Sequence, residues 1–85
     1  MTHIVRVLPA ALKSLKRLPS DVRRRIRDRI TMLADAPRPA DMCKLTGADE
    51  LYRFRVRDYR VINSIEDEVL TVLVIRIGHR REVYR

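Results

Sequence analysis

One cysteine, two glycines and two histidines are all that this 85-residue chain has of three residue types on which small functional proteins often depend. Cys43 has no second cysteine with which to close a disulfide. With only His3 and His79 far away in the sequence, it cannot complete a zinc site, so neither a metal nor another cofactor is expected. Nothing beside Cys43 resembles an activating base, which argues against a nucleophilic role. So little glycine, with an apolar share of 46%, excludes a disordered or low-complexity chain. No apolar run approaches the length of a membrane span and no signal-peptide pattern opens the sequence. The expectation is a single cytoplasmic domain, residues 1–85, with no membrane role. Negative charge is scarce too, with 11 Asp+Glu against 19 Lys+Arg, a net charge of +8 and a pI near 10.8.

The excess charge is mostly of one kind. Lys13, Lys16 and Lys44 are the only lysines, and the other sixteen cations are arginine. Arginine forks onto phosphate with paired hydrogen bonds and stacks on bases, so this bias favours a nucleic-acid partner.

Along the chain, "HIVRVLP" at 3–9 is a short β-prone run ended by Pro9. Leu8, Leu12, Leu15 and Leu18 then recur near helical spacing, and Pro19 breaks that segment. Ser20 is expected to cap a second helix, in which Val22, Ile26, Ile30 and Leu33 form one apolar stripe opposite Arg23, Arg24, Arg27 and Asp28. "APRPAD" cannot continue a helix, so the two helices form a hairpin followed by a loop. Three strand-like runs come next, at about 51–57, 59–66 and 69–78, the last apolar on both faces and so expected to be central. The order β-α-α-β-β-β predicts an α+β, two-layer fold, with a helical hairpin on one face of a mainly antiparallel sheet.

The sharpest local signal is "LYRFRVRDYRVI" at 51–62. Strand side chains alternate between two faces, so Arg53 and Arg55 share one face while Tyr52, Phe54 and Val56 share the other. If Arg57 and Asp58 form a two-residue hairpin loop, Arg55 faces Arg60, and residue 53 faces 62. Like charges directly opposite are destabilising, so a sheet built for stability alone would avoid this pairing. The arginine face is therefore the expected anion-binding surface. The turn at Glu66–Glu68 decides, by a single residue, whether Arg76 joins this face. The terminal "GHRREVYR" adds His79, Arg80, Arg81 and Tyr84.

With "KLTG" at 44–47, "LYRFRVRDYRV" at 51–61 and "IRIGHRREVYR" at 75–85, the sequence resembles the RelE/ParE superfamily of bacterial toxins, most closely its RelE branch. The resemblance covers nearly the whole chain. It implies a ribosome-dependent endoribonuclease of a type II toxin–antitoxin pair that cleaves messenger RNA in the decoding site, without a metal. The implied partners are the ribosome, its messenger RNA and an acidic RelB-like antitoxin.

Matched by motif, the implied catalytic positions are Arg53, Arg55 and Arg60 on the hairpin, Arg80 at the strand end and Tyr84. Lys44, Arg57, Arg76, Arg81, Arg23, Arg24 and Arg27 are the candidate RNA- or ribosome-binding positions. Residues 53 and 55 are often lysine in the family. Arginine does not shed its proton, which removes a base from the hairpin and leaves charge stabilisation. His79 then becomes the titratable candidate for proton transfer. Two rival readings remain, a ParE-like toxin acting on DNA gyrase and a non-catalytic RNA-binding module.

Overall fold

The computed structural model describes residues 2–45, 47 and 50–79. Strand β1 (Ile4–Val7) leads into helix α1 (Pro9–Lys16), with Pro9 at the first helical turn. Proline suits that position, because its fixed φ is helical and its missing N–H would have had no intrahelical acceptor. Helix α2 spans Ser20–Met32. Ser20 is its first helical residue and not its cap; Pro19 holds the cap position, and its carbonyl accepts the first intrahelical bond from the Arg23 amide. Asp21 places a carboxylate in the first turn, where it favours the helix dipole.

Strand β2 (Cys43–Lys44), β3 (Leu51–Val56), β4 (Tyr59–Glu66) and β5 (Thr71–His79) complete a five-stranded sheet of order β1-β5-β4-β3-β2. β1 pairs parallel to β5 and the other neighbours are antiparallel. The α+β fold expected from the sequence is the one observed, with the 69–78 run flanked by strands on both sides. The two-residue β2 has no periodicity to read and was not expected. A 3-10 turn (Asp67–Val69) and Leu70, at φ 47°, connect β4 to β5.

The core lies between the helices and one sheet face. Ala11 and Leu15 of α1 and Val22, Ile26 and Ile30 of α2 meet Phe54, Val56, Val61, Ile65, Val72, Val74 and Ile77. Phe54 retains 2% of its exposure. Burying a side chain of this size contributes about 1.5–3 kcal/mol. Asn63 sits fully buried on this same face, and neither of its amide atoms has a hydrogen-bond partner.

Two devices fix which residues face outward. The β3–β4 register pairs Val56 with Tyr59, Arg55 with Arg60 and Arg53 with Ile62. Arg57 opens the intervening loop at φ 54°, matching the twist that two-residue hairpin loops need. The β4–β5 register shifts between Ile62 and Asn63, so Ile62 faces Arg76 while Asn63 faces Val74. Ile75 is the extra residue of this bulge. It reverses side-chain parity, so that Val72 and Val74 point to the core but Arg76 points to the sheet face opposite α1 and α2.

Candidate nucleic-acid interface

The sheet face opposite α1 and α2 carries Arg53, Arg55, Arg60 and Arg76. Their rows follow from the register: Arg55, Arg60 and Gly78 in one, Arg53, Ile62 and Arg76 in the next. Rows lie about 7 Å apart along the strands, two residues at about 3.3 Å each. The Ile65 amide bonds to the Glu50 carbonyl. That bond fixes the ladder's alternation and makes Arg55 and Arg60 a non-hydrogen-bonded pair, whose Cα atoms approach to about 4.5 Å. Arg53 and Arg60 are half-buried; Arg55 and Arg76 are exposed. No carboxylate forms an ion pair with Arg53 or Arg55 among the described residues. Two such charges repel by ~1 kcal/mol at contact distance in water. A fold can tolerate that cost, and an anion bound between them removes it.

The other positions expected from the sequence are dispersed. Arg57, at the hairpin tip, turns to the helix layer and pairs with Asp21 at 3.1 Å. Arg23 is half-buried and donates to the Lys16 carbonyl at 3.3 Å, tying α2 to α1. Arg24 and Arg27 are exposed on α2. Lys44 lies opposite Tyr52, on the helix side of the β2 edge. None of these joins the arginine face. Arg80, Arg81 and Tyr84 lie outside the described residues.

His79 departs from expectation. Directly opposite strand partners share a face, and His79 pairs with Tyr59, whose ring packs against the core. The two rings meet edge to face at 5.7 Å. Ser14, Arg17 and Leu18 of the α1 segment line the same small hollow. The bulge that brings Arg76 onto the arginine face therefore puts His79 on the opposite one. That corrects its expected place in the cluster.

Two arginines near the face were missed. Arg25 and Arg29 of α2 line a groove with Asp28, Arg55 and Val56 at the β3 edge. Arg29 is fixed there, with Nη2 donating to both Asp41 carboxylate oxygens at 2.7 and 2.9 Å and its guanidinium 4.6 Å from the Phe54 ring centre. Their i, i+4 spacing beside the buried Val22–Ile26–Ile30 stripe was the available signal.

At the other end of the sheet, an arginine is neutralised by a carboxylate. Arg38 donates to both oxygens of Asp67 at 3.1 and 2.8 Å and lies 5.3 Å from the Tyr52 ring. His3 Nε2 approaches the same carboxylate at 3.2 Å. The Arg38 hydrogen bond first, and that of His3 second, hold the Asp67 carboxyl below its usual range. Glu50, Glu66 and Glu68 stand beside them around a groove of about 430 Å³. Among the described residues no group of three or more His, Cys, Asp or Glu side chains could hold a metal ion, and no helix is long and apolar enough to cross a membrane.

A two-layer α+β domain with arginines ranked across the sheet face opposite α1 and α2 has the form of a small toxin of a toxin–antitoxin pair. The family described as "ParE toxin of type II toxin-antitoxin system, parDE" matches residues 5–84, and the chain belongs to this RelE/ParE superfamily of toxins. Its individual relatives carry the RelE name. The mRNA interferase toxin RelE of Escherichia coli K12 is 33% identical over an alignment of 78 residues that covers 87% of this chain and 81% of that protein. Among solved structures, RelE of the archaeal RelE–RelB complex from Pyrococcus horikoshii OT3 superposes with a TM-score of 0.85 at 31% identity, over 98% of this chain and all of the other. The intact E. coli RelBE toxin–antitoxin complex gives 0.78 at 29%, over 91% of this chain and 95% of the matched one. The chain is thus a RelE-like toxin.

Proposed function

We propose that this chain is a ribosome-dependent mRNA endoribonuclease, held inactive by an acidic RelB-like antitoxin. The observation that carries the reading is the pairing of Arg55 directly opposite Arg60, with Arg53 and Arg76 in the adjoining row. Relatives named as mRNA interferases, and neighbours solved as RelE–RelB complexes, support it.

RNA carries its own nucleophile. The 2′-oxygen attacks the adjacent phosphorus as the bond from phosphorus to the 5′-oxygen breaks. The 2′-hydroxyl loses its proton and the departing 5′-oxygen gains one, leaving a 2′,3′-cyclic phosphate and a free 5′-hydroxyl. Negative charge gathers on the non-bridging oxygens, and preplaced guanidinium groups stabilise it by about 3–4 kcal/mol per well-aimed donor. Arg55 and Arg60 are assigned this role, with Arg53 and Arg76 holding neighbouring phosphates. Arginine cannot act as a base and His79 lies across the sheet, so water or the RNA itself relays the protons. Arg80 and Tyr84 retain the roles implied by the motif, charge stabilisation and stacking on a nucleotide.

The test is primer extension on translating ribosomes with the purified chain. Discrete cuts within codons at the ribosomal decoding site are expected. Intact message, with gyrase inhibited in a parallel supercoiling assay, would establish the ParE-like alternative. Binding to RNA with neither effect would leave a non-catalytic module.

A further inference from the structure

The β3 edge is incompletely covered, and what lies beyond its cover is cationic. β2 pairs only with Tyr52 and Arg53. The Leu45 amide bonds to the Leu51 carbonyl, so residues 51, 53 and 55 direct their backbone groups toward the β2 side. At Arg55 no β2 residue remains, and its N–H and C=O point off the sheet edge. The groove at that point, about 240 Å³, is lined by Arg25, Asp28, Arg29, Arg55 and Val56. It wraps around the edge, because Arg55 belongs to the arginine face while Arg25 and Arg29 come from the helix layer. Arg29 is committed to Asp41. Arg25 is exposed and makes no ion pair among the described residues.

A strand of phosphates on the Arg53–Arg76 and Arg55–Arg60 rows meets charge of opposite sign at two borders of the face. The clamp end of the molecule presents Glu50, Glu66 and Glu68 beside the Arg38–Asp67 pair and repels it. The β3 edge presents Arg25 and Arg55, which outnumber Asp28 in the groove once Arg29 is set against Asp41. A single outward-facing residue is too little for a β-ladder with an added peptide strand, but it suits one anionic group. We infer that the RNA leaves the arginine face over the β3 edge, and that a phosphate flanking the cleaved one seats in this groove against Arg25 and Arg55. This rests on the proposed RNA-directed function and adds Arg25 to it as a binding residue.

The test compares salt dependence of binding to a short fluorescein-labelled single-stranded RNA for the full chain and for Arg25→Ala, Arg25→Glu, Lys13→Ala and Arg60→Ala. Losing one phosphate contact should lower the slope of log affinity against log salt by about 0.7 for Arg25→Ala. Lys13→Ala removes the same charge from an exposed site on α1 and should keep the original slope. Arg25→Glu should bind more weakly still. In single-turnover cleavage on ribosomes, Arg25→Ala should raise the half-saturating concentration and leave the saturated rate unchanged. A slope for Arg25→Ala equal to that of Lys13→Ala overturns the inference, as does loss of antitoxin affinity with RNA binding unaltered, which would make the groove a protein site. If Arg60→Ala too binds and cuts like the original chain, the RNA-directed function itself fails.

Discussion

The two ends of the sheet use arginine in opposite ways. At one end Arg38 closes on Asp67 with two hydrogen bonds, and His3 reaches the same carboxylate. Three chain segments far apart in sequence are held together there, and the charge is spent. Toward the hairpin tip, Arg55 faces Arg60 across the closest kind of strand pair, and no carboxylate forms an ion pair with Arg53 or Arg55 among the described residues. The first arrangement serves the fold; the second sets two like charges directly opposite each other, a cost that a bound anion reduces. The border falls at the bulge, where strand parity changes and Arg76 crosses to the arginine face.

Converting one end into the likeness of the other should have the largest effect. Arg55→Glu puts a carboxylate directly opposite Arg60. Cleavage on ribosomes should fall by about 10²-fold or more, as for the loss of a charge-stabilising donor. The folded state should hold or gain up to about 1 kcal/mol, as for an opposite-charge cross-strand pair, read by urea unfolding. Arg76→Ala is expected to cost about tenfold in half-saturating ribosome concentration while keeping the saturated rate, because its row binds a neighbouring phosphate. At the border, Asn63 buries both amide atoms without a partner. Asn63→Val should therefore stabilise the chain by about 1–2 kcal/mol in the same unfolding assay.

The smallest effect belongs to the clamp. Asp67 titrates below its usual range when folded, chiefly through the Arg38 hydrogen bond. A depressed carboxyl pKa adds stability above the unfolded value near 4, and that stability is lost as pH falls through the folded value. Asp67→Asn should melt slightly lower than the parent at pH 7, with the gap closing under acid. A constant gap across pH would remove the charge from the explanation.

The legible parts of this protein were those where one periodicity decides the outcome. The α2 stripe, the alternation in β3 and the two-residue loop fixed the helix layer, the core face and the Arg55–Arg60 pairing from sequence. The β4–β5 register was not legible, because an extra residue in a strand apolar on both faces leaves no mark on the pattern. Ile75 could sit on either side, and its placement decides both Arg76 and His79. Ser20 looked like a cap, but Pro19 fixes the backbone one residue earlier. The Arg38–Asp67–His3 clamp and the Arg25–Arg29 groove join residues from separate elements, and charge spacing along one element does not reveal such meetings.

The central claim is that cleavage depends on the arginine pair at the hairpin and not on basic charge in general. Arg60→Ala and Arg38→Ala remove the same charge from the two ends, so single-turnover mRNA cleavage on ribosomes should be measured for both beside their melting temperatures. Arg60→Ala should remain folded and lose about 10²-fold or more in rate, whereas Arg38→Ala should melt earlier than the parent and cut at the original rate. A folded Arg60→Ala that cleaves as fast as the parent, or an equal loss of rate in both variants, would contradict the account.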